Sequence, residues 1–304
     1  MKNKLARYGK VACISLALIA TERFCHKKTR GFRPHKIYSS FSFDPSFELE
    51  KLTFEKKELV QRVLSQPFTY LGDGGQGYSF VSQDGNYVLK FFKLHHVTVY
   101  DVIRNLSLPG ALGVLKDEWI AGRDKDKERM LSSCKIAYER LPKETGMLYA
   151  HINQTTNEHP TITLYDAIGA VHHIDLDKAV FALQKKATLA FTHLKEDLLQ
   201  KDEIAAKGAI DDFLYFVTQR SKKGVEDRDS GLKRNFGYID GHLMEIDVGS
   251  FVLNEDIASG IMLRNEVAKK GEDLRILLAE KYPELLPYYD ARLYQLTASI
   301  EASL

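Results

Sequence analysis

Cysteine is scarce in this chain. Cys13, Cys25 and Cys134 are the only three, an odd number at wide spacing. No disulfide framework and no zinc-ligand pattern can be built from them, which fits a reduced protein. A charge excess is missing too: 43 Lys and Arg face 41 Asp and Glu, a net +2. That balance excludes the basic footprint of a nucleic-acid binder. Repeats and low-complexity tracts are absent. No apolar run is long enough for a comfortable membrane span, which needs about 20 residues. The adjacent pairs His95–His96 and His172–His173 would send their rings to opposite sides of a strand, which disfavours a shared metal. The single tryptophan, Trp119, reads as a core residue.

What is present begins with a basic N-terminus. Lys2, Lys4, Arg7 and Lys10 precede the apolar run Val11 to Ala20, and charged residues follow. This is the shape of a signal-peptide core. Residues 1–30 are therefore expected to be a signal-like or membrane-anchoring segment, with a buried helix or strand of the mature fold as the alternative. Localisation is then membrane-associated or secreted, or else cytoplasmic. Residues 31–65 read as a linker or arm ending in a helix near Leu52–Leu64, where Leu52, Leu59, Val60, Val63 and Leu64 share a face. Residues 66–187 are rich in short strands, with a charged helical stretch between Lys116 and Leu141. Asp84-Gly85-Asn86 marks a hairpin turn. Residues 188–304 are mostly helical, with a second hairpin at Phe236–Ile239 and His242–Ile246 turned by Asp240-Gly241, and with Pro283 and Pro287 breaking the tail. The expected class is α+β, a β-rich half followed by a smaller helical half.

Three motifs carry chemistry. Gly72, Gly74 and Gly77 form G-x-G-x-x-G and lead into a strand rather than a helix. Glycines there let backbone N–H groups approach an anion. Next, Tyr87-Val-Leu-Lys90 places a lysine on the strand after that hairpin, on the face of Val88, with Lys93 as a competitor. Finally, Asn235 precedes the second hairpin and Asp247-Val-Gly249 follows it. A two-strand hairpin brings such flanking residues side by side, and an amide oxygen with a carboxylate suits Mg²⁺.

These motifs stand in the order of the protein-kinase signature. From Gln66 to Leu253 the chain resembles the protein-kinase-like superfamily. The resemblance implies a two-lobed fold, with a β-rich N-lobe, a small helical C-lobe, and ATP and Mg²⁺ held between them. It implies that Gly72, Gly74 and Gly77 cover the phosphates, that Lys90 pairs with them, and that Asn235 and Asp247 bind the metal. Arg228-Asp229 resembles the His-Arg-Asp triplet, making Asp229 the catalytic base and Asp227 the alternative. The loop from Asp229 to Asn235 holds one more residue than the kinase signature places there, and Gly231 could absorb it. Glu128 is the expected helix partner of Lys90, with Glu118 and Glu139 open. Phrases such as Tyr87-Val-Leu-Lys-Phe-Phe-Lys and Thr145-Gly-Met-Leu-Tyr also resemble uncharacterised proteins of chlamydia-type bacteria.

Ala-Pro-Glu and a recognisable activation segment are missing, and a hairpin at Thr161–Leu176 is extra. The chain in this respect resembles atypical, HipA-like or small-molecule kinases. The expected function is an ATP- and Mg²⁺-dependent phosphotransferase acting on an unknown protein or small-molecule acceptor. The alternative is a pseudokinase, or a secreted kinase-fold interaction protein without turnover.

Overall fold

The computed structural model of the chain describes residues 2–38, 43–93, 103–199, 202–229 and 232–302. In chain order its main elements are helix α1 (Lys2–Lys28) and helix α2 (Phe54–Leu64), then strands β1 (Phe68–Asp73), β2 (Gly77–Ser82) and β3 (Tyr87–Phe92). Helix α3 (Gly110–Glu139) follows, then β4 (Met147–His151), β5 (Thr161–Tyr165), β6 (Val171–Asp175), β7 (Phe181–Lys185) and β8 (Thr188–Leu189). The C-terminal half holds α4 (Ala190–Leu199), α5 (Glu203–Lys222), β9 (Val225–Asp227), the hairpin β10 (Phe236–Ile239) and β11 (His242–Glu245), β12 (Phe251–Leu253), α6 (Gly260–Lys281) and α7 (Leu286–Glu301). The molecule is a mixed α/β protein with one large curled sheet and a helical C-terminal region.

The large sheet has seven strands in the order β4-β7-β3-β2-β1-β5-β6. Its neighbours pair antiparallel, except for a short parallel pairing of β1 with β5. Alternation along β3 gives the sheet two apolar faces. Leu89 and Phe91 enter one core with Phe68, Phe80, Phe181, Ile162 and Leu164. Phe92 enters the other with Leu131, Cys134 and Ala137 of α3 and with Val248 and Phe251. Lys90 lies on this second face, as its spacing from Val88 and Phe92 requires. The C-terminal half has its own core, where α5, α6 and α7 pack Phe213, Val217, Val267, Leu278 and Tyr289 together.

The first face explains a departure from the sequence reading. Residues 31–65 read as a linker or arm, yet Phe32 and Ile37 are fully enclosed in the sheet's core beside Val60, Val63 and Leu64 of α2. The Phe32 ring stands edge-on to Tyr78 and Phe80 at 5.3 and 5.1 Å. Asp44 is pinned farther along, its N–H donating to Asn153 Oδ1 at 3.0 Å while Asn153 Nδ2 donates back to the Asp44 carbonyl at 2.9 Å. The arm covers apolar surface on both sides of the sheet: Phe32 and Ile37 enter the first core, while Phe47 and Leu49 pack against the second.

Trp119 also departs from expectation. It sits on the exposed part of α3, 37% accessible, with Arg123 over its ring at 5.7 Å. Pro287 lies in the first turn of α7, where a missing N–H costs nothing, and Pro283 opens the short turn before it. His95 and His96 lie outside the described residues, and the proposed Gly231 relief of the base loop does too. Along α1 the side chains of Ile14, Leu16, Leu18 and Ile19 are 53–66% accessible, so this part of the helix is not buried. Among the described residues no helix is long and apolar enough to cross a membrane.

Candidate functional site

The glycine hairpin between β1 and β2 is tied to the end of β3. Lys93 N–H donates to the Gln76 carbonyl at 2.8 Å, and Lys93 Nζ donates to the Gly74 carbonyl at 2.5 Å. Lys93 Nζ also stands 3.7 Å from Asp73 and 4.6 Å from the centre of the Tyr78 ring. So the competing lysine supports the loop rather than the cleft beneath it. The glycines have different reasons. A Cβ at Gly77 would lie 2.7 Å from the Phe91 carbonyl oxygen, so β2 and β3 demand glycine there. Gly72, Gly74 and Gly75 have open space where a Cβ would stand, and none has a positive φ. Folding alone does not require glycine at these three. At Gly249 a Cβ would fall 1.6 Å from Gln76 Oε1, so the glycine hairpin and the Asp247-Val-Gly249 segment touch.

Lys90 crosses from the sheet to that segment, its ammonium donating to the Ile246 carbonyl. Desolvation lowers its pKa, opposed by the Asp247 carboxylate. The expected glutamate partner is not there. Glu128 and Glu118 are exposed on α3, and Glu139 turns to Lys135 at 3.8 Å. The α3 group felt by Lys90 is the thiol of Cys134, which burial pushes up to about 12. The helix presents its apolar stripe to the sheet, and a glutamate at position 128 falls off that stripe.

The second half of the site is built by two pairings. β10 and β11 form the hairpin, and the Ile246 N–H donates to the Asn235 carbonyl at 2.6 Å, continuing the ladder to its open end. Asn235 and Asp247 therefore emerge together. β9 pairs with β12, Asp227 opposite Phe251, which lays Arg228 and Asp229 alongside Ser250. Asn235 Nδ2 donates to Asp229 Oδ2 at 3.0 Å, orienting that carboxylate.

Asp227 and Asp229 part ways here. Asp227 is buried, and its Oδ1 accepts from the Asp229 N–H at 3.0 Å and the Ser250 hydroxyl at 2.5 Å. Burial by itself would raise its carboxyl. Lys270, Ser250, the Asp229 amide and Arg220 together hold it below the usual range. A carboxylate so engaged fixes a loop and is ill placed as a base. Asp229 instead faces a cleft of about 510 Å³ together with Gly74, Gly75, Asn235 and Asp247, a volume suited to a small-molecule ligand. Leu232, Arg234 and one face of α6 (Asp273, Ile276, Leu277, Glu280) complete its wall. Gly72 and Gly77 are not part of that wall.

Behind the site lies a buried charge cluster that sequence reasoning missed. Arg220, wholly inaccessible, donates from Nη1 to both Glu245 oxygens at 3.0 and 2.8 Å and lies 3.5 Å from Glu266. Desolvation raises Glu245 to about 8 against the pull of Arg220. Lys270 of α6 meets Asp227 at 3.3 Å. The one signal of this cluster in the sequence is the run of charges on otherwise amphipathic helices.

The described residues include no group of three or more His, Cys, Asp or Glu side chains placed to hold a metal ion. Asp247 and Asn235 supply two hard oxygen donors, which is what a Mg²⁺ ion shared with phosphate oxygens and water needs from a protein. Space is open over Gly74 and Gly75, and the Gly74 N–H turns back to the Gly77 carbonyl at 3.0 Å. No protein-family model matches the chain, and no curated protein matches it either. Its class is thus defined by its own architecture: a mixed α/β protein whose cleft is floored by a glycine hairpin, an Asn–Asp pair and a second aspartate.

Proposed function

We propose that the chain is a two-lobed, kinase-fold phosphotransferase that uses ATP with Mg²⁺. The observation that carries this reading is the convergence of Gly74, Gly75, Asp229, Asn235 and Asp247, drawn from four separate segments, on one cleft. Topology supports it. The order β4-β7-β3-β2-β1, with α3 inserted between β3 and β4, is the arrangement the proposed N-lobe calls for. The hairpin β10–β11 stands between the proposed metal ligands as the kinase signature requires. β5 and β6 are an addition at the β1 edge.

ATP supplies the phosphoryl group and Mg²⁺ neutralises its charge. The chain's own residues position and polarise. The Gly75 N–H would be the hairpin's donor on the phosphate side, since the Gly74 N–H is spent on the Gly77 carbonyl at 3.0 Å. Lys90, which feels the Asp247 carboxylate but is not part of the cleft wall, would have to exchange the Ile246 carbonyl for a phosphate oxygen. Asn235 and Asp247 would hold the metal. Asp229, aligned by Asn235, accepts the proton of the acceptor hydroxyl as its oxygen bonds to phosphorus and ADP leaves. The acceptor is a protein or a small molecule.

A pseudokinase is the second reading. The observation favouring it is the absence of any α3 carboxylate at Lys90, since active kinases keep that ion pair. The exposed apolar side chains of α1 support a targeting or surface-attachment role for residues 1–30, with an interaction role as its extension. The deciding experiment is binding of a fluorescent ATP analogue to the full chain, with and without Mg²⁺, in wild type, Lys90→Ala and Asp247→Ala. Mg²⁺-dependent binding lost in both variants supports the site. Binding without ADP formation selects the pseudokinase, and no binding by folded protein overturns the nucleotide reading.

A further inference from the structure

We infer that Lys270 is a positioning residue that locks the base loop and the metal-ligand segment into one register; the catalytic part of this inference rests on the phosphotransferase reading above. Lys270 lies on α6, distant in sequence from every motif, and is 6% accessible. Its ammonium donates to the Asp229 carbonyl at 2.7 Å and stands 3.3 Å from Asp227 Oδ2. The same Asp227 carboxylate takes the Asp229 N–H and the Ser250 hydroxyl on its other oxygen. Ser250 directly follows Asp247-Val-Gly249, and its carbonyl accepts the Arg228 N–H at 3.2 Å. The ammonium therefore holds the β9 side directly, and the segment leading into β12 through the Asp227 carboxylate that Ser250 also binds.

The consequence for Asp229 is specific. Its carbonyl is held by Lys270, its N–H by Asp227 and its carboxylate by Asn235. These contacts fix the Asp229 backbone and one carboxylate oxygen at the wall of the cleft. The neighbouring cation does not duplicate this. Arg220 is 4.0 Å from Asp227 and committed to Glu245 by two shorter bonds. Lys269 points to Glu226 and Glu266 at 3.8 and 3.9 Å and is largely accessible. Remove the Lys270 ammonium and a buried Asp227 loses its nearest counter-charge, so the loop that hangs on it must rearrange.

The test compares Lys270→Met with Lys270→Arg in the full chain, by two independent readouts. Hydrogen exchange of segments 225–229 and 247–253 should quicken together by about tenfold in Lys270→Met, with β1 to β3 unchanged. ADP release from ATP in the presence of Mg²⁺ should fall by about 30-fold while the affinity for a fluorescent ATP analogue stays within about threefold. Lys270→Arg, which keeps a buried donor and charge, should recover most of both. Unchanged exchange in Lys270→Met, or quickening of one segment alone, overturns the inference. If both segments quicken but wild type neither binds nucleotide nor releases ADP, the coupling stands and the phosphotransferase reading falls. Should Lys270→Met fail to fold, Asp227→Asn removes the opposite partner at constant shape and must give the same paired quickening.

Discussion

At the scale of single residues, the glycine hairpin separates two reasons for glycine. Gly77 has no room for a Cβ against the Phe91 carbonyl. Gly77→Ala should cost about 2 kcal/mol or more, the range of backbone clashes and overpacking. Gly74 faces open space at negative φ, so Gly74→Ala should leave stability within about 0.5 kcal/mol. If the hairpin holds phosphate, the same change should weaken binding of a fluorescent ATP analogue about tenfold or more. Urea unfolding and a binding titration on both variants check the pair. Equal losses in stability would refute the division.

Arg220 makes a second residue-scale case. Deleting one member of a buried ion cluster leaves uncompensated charge, which costs about 3–5 kcal/mol. Arg220→Met should lose that much in urea unfolding, and Arg220→Met with Glu245→Met should recover most of it. A double variant no better than the single one would show that Glu245 is not the principal partner. His151 gives a pH-dependent case. Its imidazole is enclosed between the Ala179 carbonyl at 2.7 Å and the Thr155 hydroxyl at 3.1 Å. Burial lowers its pKa from 6.5 to about 4, against the pull of that carbonyl. The unfolded chain then binds a proton in a range where the folded one does not. Stability should fall as pH drops from about 6.5 to about 4 and be unaffected by this group above 6.5, a loss of about 3 kcal/mol at most. His151→Gln should flatten that segment of the stability–pH curve; an unaltered slope would count against it.

At the scale of elements, helix α1 stands apart from the three cores. The arm meets the last turn of α1, where the Gly31 N–H donates to the His26 carbonyl at 2.8 Å, and through an exposed pair, Arg33 to Glu22 at 3.1 Å; such pairs contribute about 0–1 kcal/mol. Removing residues 1–20 should leave the unfolding midpoint nearly unchanged, because Ile14, Leu16, Leu18 and Ile19 bury little. A large drop would mean that α1 packs on the body after all. The same deletion should alter subcellular distribution if the segment targets or attaches the protein.

Several elements are legible in the amino-acid sequence alone. The helix Glu203–Lys222 and the strands Phe236–Ile239, Thr161–Tyr165 and Met147–His151 follow from period and turn residues, since each alternates or repeats against a buried face. The arm from Phe32 to Ile37 is not legible there. Its two buried apolar residues, Phe32 and Ile37, stand among polar ones with no regular period, and only a sheet face waiting to be covered gives them a place. The Lys90 partner escapes the sequence for a related reason. Spacing can nominate Glu128, Glu118 or Glu139, but which side of α3 meets the sheet depends on how Leu131, Cys134 and Ala137 pack.

At the scale of the whole molecule, the cleft lies where the sheet-bearing and helical halves meet, with Gly249 against Gln76 across it. A ligand that binds only the folded form stabilises it by mass action, about 2.7 kcal/mol at a hundredfold excess over Kd. ATP with Mg²⁺ should therefore raise the melting temperature of wild type and not of Asp247→Ala. The absence of any shift at saturating nucleotide would remove the strongest support for the proposed function.

The sequence by itself determined the glycine hairpin, the position of Lys90 on its strand and the Asn235–Asp247 bracket, because each is a local matter of turns and alternation over a few residues. Tertiary structure alone decided that Asp229 faces the cleft while Asp227 turns inward, that α3 brings a thiol rather than a carboxylate to Lys90, and that Lys270 reaches back to the Asp227–Asp229 segment. Those outcomes depend on which helix face is buried and on which charges must find partners once water is excluded. No spacing along the chain encodes them, since the groups that decide them lie far apart in sequence and meet only when the cores close.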